Sequence, residues 1–236
     1  MTGSLLELQD VSKSYGGLRP LRIARLALRE GERVALVGLD GPAAETLVNL
    51  VTGASLPDQG RVALFGRDTA SINDPEDWLA LLERLGIVSA RAVLLDELTV
   101  AQNIATAFTL SIDPVSGDVM ADVRRLAAEV GLDASWLDRR IADAPPGVAA
   151  RCHLAKALAM HPSLLVLEHA NALVPEDAPA LAITVGAAAR ARGLTVLVIT
   201  AEDAFARAAA DRVLTVNAAT GELKDRSGWR GFLPGV

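Results

Sequence analysis

Residues 33–56 read RVALVGLDGPAAETLVNLVTGASL, and this stretch decides the fold. Val34 to Val37 is an apolar run of strand length, bounded by a charged residue before and a glycine after. Gly38 and Gly41 mark a turn. Beyond it Leu47, Leu50 and Val51 recur at helical spacing. The stretch is therefore a strand, a glycine turn and the start of a helix.

A turn of this kind can cradle phosphates: its glycines let backbone N–H groups approach, a Lys neutralises charge, and a Ser or Thr hydroxyl holds a magnesium ion. Aligning Gly38 and Gly41 with the first two glycines of such a loop puts Ala43 at the third glycine, Ala44 at the lysine and Glu45 at the hydroxyl, with Thr46 next. Pro42 removes one more N–H donor. The scaffold is present and the chemistry is missing, so the loop alone also reads as an ordinary strand-to-helix connection.

The 236 residues, 51% hydrophobic and 3% aromatic, suffice for one sizeable core, or for a large and a small lobe. A single Cys152 excludes an internal disulfide framework and has no partners for a zinc site. The opening MTGSLLELQD carries acids where a secretory signal needs positive charge, and no apolar run reaches membrane-spanning length. A formal charge of −6 and a pI near 5.1 argue against nucleic acid as a partner. The expectation is a cytoplasmic protein with no metal site and no direct membrane insertion.

Leu5–Val11 and Leu21–Leu28 read as strands flanking a Gly16–Gly17 turn, and Tyr15 between them could stack on a purine or pack on the sheet. A turn at 57–60 leads to a strand at 61–65. Helical patterns cover 76–85, a segment beginning near Thr99, 118–130 and 134–141, with a short strand at 87–89. Residues 149–160 form a strong helix, followed by a buried strand Leu164–Leu167 ending at Glu168. An alanine-rich helix spans 178–192, then come a strand at 194–200, a short helix at 205–210, a strand at 212–216 and an irregular tail from Gly221. Apolar strands alternating with helices predict a parallel sheet covered on both faces.

In this order the elements resemble the nucleotide-binding domain of ATP-binding cassette transporters, from Leu5 to about Lys224. The segments that carry the resemblance are LPDQGRVALFGRD, AVLLDELTVAQNIA and above all ARCHLAKALAMHPSLLVLEHA. It implies an α/β fold: a P-loop NTPase-like, mostly parallel sheet core with an antiparallel N-terminal β part and an inserted helical lobe. The implied division of this single domain is 1–68 and 150–224 for the core, 69–149 for the helical lobe and 225–236 for a tail.

The resemblance also assigns roles, and most of the residues at those positions have changed. Tyr15 matches the aromatic that stacks on adenine. Ala90 stands at the glutamine that senses magnesium and the attacking water. Ala144, Pro145, Pro146, Gly147 and Val148 replace the signature loop, with only Gly147 retained. Glu168 stands at the magnesium-associated aspartate, His169 at the catalytic glutamate, Pro175 near an aspartate that contacts the opposite subunit, and Ala201 at the histidine that touches the γ-phosphate. Phosphoryl transfer rests on positioning and charge stabilisation. Losing the lysine alone forfeits about 1.5–3 kcal/mol of charge-assisted hydrogen bonding.

The resemblance therefore implies a degenerate cassette with weak or absent ATP and magnesium binding, docked as a structural or regulatory subunit on membrane permease subunits at the inner face of the cell membrane, with or without a second cassette. The alternatives are an ATP-hydrolysing subunit that works through Tyr15, Glu168 and His169, and an interaction module outside transport.

Overall fold

The structure is a computed structural model that describes residues 4–226. Its first part runs β1 (Leu6–Lys13), β2 (Leu21–Leu28), β3 (Arg33–Val37), α1 (Gly41–Val51), β4 (Gln59–Leu64), β5 (Arg67–Asp68), α2 (Pro75–Leu82) and β6 (Leu85–Ser89). Then come α3 (Val100–Ala105), α4 (Gly117–Glu129), α5 (Pro146–Leu158), β7 (Leu164–Glu168), α6 (Ala178–Arg192), β8 (Thr195–Thr200), α7 (Asp203–Ala209), β9 (Arg212–Val216) and β10 (Leu223–Asp225). The main sheet has the order β10-β9-β3-β8-β7-β6, parallel throughout except for antiparallel β10. A four-stranded antiparallel sheet, β2-β1-β4-β5, accompanies it. This is the α/β architecture expected from the alternation of strands and helices.

The core strands are apolar on both faces because each face has its own core. Ala35, Val37, Leu165, Leu167, Val196 and Val198 pack with α3 to α7 in one cluster. Their strand neighbours Val34, Leu36, Leu164, Val166, Leu197 and Ile199 pack with α1 and the antiparallel sheet in the other. This follows directly from the two-residue period of a strand.

Several boundaries differ from the sequence reading. Leu85 belongs to β6, not to α2, which stops at Leu82. β6 lies in the main sheet, so the helical lobe expected over 69–149 is interrupted by a core strand. α2 is likewise tied to the core, since Trp78 Nε1 donates to Thr52 O at 3.0 Å. Where a helix was expected over 134–141, two short 3-10 turns stand, Ala134–Trp136 and Ile141–Asp143, the second running two residues beyond that span. The reason is competition: Leu137 O and Arg139 O accept from Ala101 N and Val100 N, so they are spent on capping α3. α5 starts at Pro146, three residues before the apolar pattern, because proline suits the first helical position. Leu223–Asp225 pairs with β9 where an irregular tail was expected, and 227–236 lie outside the described residues. Among the described residues, no helix is long and apolar enough to cross a membrane.

Candidate functional site

The C-terminal ends of parallel strands are where α/β folds gather ligand-binding loops. Here the turn after β3 carries Gly38, Ala90 follows β6, Glu168 closes β7 and Ala201 follows β8. The fold thus brings to one edge the four positions singled out in sequence. Gly38 is required there: its φ is +104°, and a Cβ would lie 3.1 Å from Val216 O on β9.

The phosphate-loop-like turn is closed by its own side chains. Asp40 is the N-cap of α1, and its carboxylate accepts from Ala43 N at 2.9 Å, while its carbonyl accepts from Ala44 N at 2.9 Å. The free N–H groups of a helix start attract anions. Asp40 places a carboxylate of the chain itself on that start. Ala44 is fully buried, and the Thr46 hydroxyl donates back to Pro42 O at 2.7 Å. Gly41 and Pro42 are exposed and carry no charge.

Glu45 and Glu168 meet at Arg91. Arg91 Nε and Nη2 donate to the two oxygens of Glu168 at 3.1 and 2.7 Å, and Nη1 donates to Glu45 at 2.9 Å. The Glu168 side chain is 5% exposed, against 46% for Glu45 and for Arg91. The hydrogen bond to Glu168, opposed by partial desolvation, raises the guanidinium pKa above its usual value. A planar fork facing a carboxylate is the strong geometry for this pair.

His169 follows Glu168 in a left-handed conformation, with φ 45° and ψ 36°, and its backbone N–H donates to Ile199 O at 2.8 Å. Its Nε2 is buried and has no hydrogen-bond partner among the described residues. Beside it, Asn171 Nδ2 donates to Glu202 at 2.9 Å and accepts at Oδ1 from the Thr200 hydroxyl at 3.0 Å. Thr200 Oγ1 also accepts from Glu202 N at 3.1 Å. This network joins the loop after β7 to the loop after β8. Ala90 and Ala201 are exposed and supply no polar group.

Tyr15 is half-buried against the core of the antiparallel sheet, with its ring lying over Gly17. Of 144–148, Pro145 caps α5 without a side-chain bond and Pro146 opens it; Arg151 holds Gly147 O at 3.0 Å and reaches Asp177 at 3.4 Å. Pro175 is exposed. No group of three or more metal-ligating side chains occurs among the described residues.

Sequence reasoning missed Asp40, Arg91 and the Asn171–Thr200–Glu202 network. One signal was available for Arg91: a phosphate loop that gains Glu45, together with a buried strand that ends in Glu168, leaves two acids in need of a cation.

The family model described as ABC transporter matches residues 21–172. The methionine import ATP-binding protein MetN of Caulobacter vibrioides is 33% identical over 217 residues, covering 91% of this chain and 64% of that protein. The Fe(3+) ions import ATP-binding protein FbpC of Mesorhizobium japonicum is 31% identical over 211 residues, covering 89% and 57%. The chain thus spans about three fifths of the length of these curated relatives. The ATP-binding cassette MJ0796, solved as a dimer with ADP and phosphate, superposes with a TM-score of 0.75 at 20% identity, covering 96% of this chain and 100% of that one. With this sheet order, this strand–glycine turn–helix and these matches, the chain belongs to the ABC transporter family.

Proposed function

We propose that this protein is a cassette subunit without ATP hydrolysis, serving as a structural or regulatory element docked on membrane permease subunits at the inner face of the cell membrane. One observation carries the reading: the phosphate end of α1 is capped by the Asp40 carboxylate, with buried Ala44 in place of a lysine. A triphosphate brought to that turn would meet Asp40 and Glu45 and no lysine. The residues present do not fit a magnesium–nucleotide, because the two acids that would face the metal are already held by Arg91.

Transport is supported by the import proteins the chain resembles, and the cargo class of this chain, methionine-like or ferric, follows those relatives by analogy alone. The segment LLDELTVAQNIA, in the region where the resemblance puts the permease contact, is built soundly. Thr99 and Gln102 form a reciprocal capping box, and Val93 and Leu95 are exposed. Pairing with a second cassette through nucleotide is not part of the reading, since both the phosphate loop and residues 144–148 are altered.

Calorimetric titration of the protein with ATP, with and without magnesium, tests the proposal. The expected result is no binding heat and no phosphate release. Magnesium-dependent hydrolysis that Glu168→Gln abolishes would overturn it. A second reading, an unconventional ATPase, draws on His169 Nε2 at the catalytic position, which has no hydrogen-bond partner among the described residues; the same titration decides between them.

A further inference from the structure

Two acids converge on one point of this cleft, and the point is filled from within. Glu168, the last residue of β7, is almost wholly buried, and a buried carboxylate left without its partner is strongly destabilising. Glu45, in the second turn of α1, faces the same guanidinium from the other side. Both stand at positions where the family resemblance expects contact with a magnesium ion. Arg91 is attached to neither element: it lies two residues past the end of β6, on the connection that runs from the main sheet to α3.

That connection is fixed at both ends. Near β6, Arg91 N donates to Ser89 Oγ at 3.1 Å and Ala92 N donates to Ser89 O at 3.1 Å, a tight turn that aims the guanidinium. Near α3, the buried Asn103 side chain accepts from Leu95 N at 2.8 Å and donates to Leu95 O and Thr99 O at 3.0 and 3.1 Å. Only Val93 and Leu94 lie between the two anchors, with Val93 exposed.

We infer that Arg91 is the resident cation of this cleft, standing in for a divalent metal between Glu45 and Glu168, and that it thereby latches the 90–99 connection to the main sheet without any ligand. The inference deepens the silent-subunit reading and rests on it only in taking no metal to be needed. In a cassette that used a metal, the cation would come and go with nucleotide. A guanidinium carried on the chain is always present, and its fork engages both oxygens of Glu168 at once. The half-exposed contact to Glu45 adds little by itself and serves to tie α1 into the same latch.

Amide hydrogen exchange of the full chain, read on peptides covering 89–99, tests this together with thermal melting. Wild-type protein is expected to exchange slowly there, unaltered by magnesium or chelator. Arg91→Ala is expected to speed exchange by about tenfold or more and to lower the melting temperature. In the double variant Arg91→Ala/Glu168→Gln the orphaned buried charge is gone, so melting recovers while 89–99 stays fast. The double variant also carries the test if the single one fails to fold. Unchanged exchange over 89–99 in the double variant, or wild-type exchange that slows on adding magnesium alone, would overturn the latch. Binding of magnesium–ATP with this exchange pattern intact would instead sink the silent-subunit reading and leave the latch standing.

Discussion

Asp40 shows how one side chain can reverse the use of a structure. A helix start that would attract phosphate is satisfied by a carboxylate three residues away from the N–H it binds. Asp40→Ala should cost about 1 kcal/mol through loss of the cap, read as a lower denaturant midpoint. Gly38→Ala should cost about 1–3 kcal/mol, since φ of +104° strains any residue with a Cβ and that Cβ would press on Val216 O at 3.1 Å. At this scale the sequence was legible wherever a residue sat in register with a motif, as Ala44 and Glu45 do. Arg91 was harder to find: its partners lie 46 and 77 residues away, so the two acids signal the need for a cation without saying which residue supplies it.

Among the elements, α3 was readable from its cap: Thr99 and Gln102 are three residues apart, and both reciprocal bonds form. Residues 134–141 misled because helical spacing does not reveal that their carbonyls serve a neighbouring helix. Asn103 supports the turn before α3, and Asn103→Ala should destabilise by about 1–3 kcal/mol while leaving Leu95 N unpaired, seen as faster exchange at 95–99. Gly86 marks where α5 crosses β6, for a Cβ there would fall 2.4 Å from Ala157 O. Gly86→Ala should force helix and strand apart and cost about 1–3 kcal/mol, checked by thermal melting.

For the whole molecule, the parallel sheet and its alternation with helices were legible, since apolar strands of five or six residues bounded by turns have few other uses. Which core each residue serves was not, because both faces are apolar. α5 carries two buried titratable groups, Cys152 and His153. Burial pushes the Cys152 thiol from 9.0 up to about 12, and burial, with Lys156 assisting, lowers His153 below its usual value. Between about pH 9 and 12 the unfolded chain loses a thiol proton that the folded chain keeps, so stability falls as pH rises, by at most about 1.4 kcal/mol per unit. Cys152→Ala should flatten that alkaline slope in denaturation profiles. On the acid side the unfolded chain takes up a proton at His153 before the folded one does, so stability falls below about pH 6.5. His153→Leu should soften this decline.

The double-sided burial of β7 has one more result. Strands with one wet face are kept in place by their pattern, because sliding by a single residue would drown oily side chains and strand polar ones inside. Leu164 to Leu167 would meet oil either way, so sliding carries no such penalty along those four residues. What stops the strand from slipping is its last residue: displaced by one, Glu168 would point into hydrocarbon and lose the guanidinium, so the charged end works as a key that admits a single alignment.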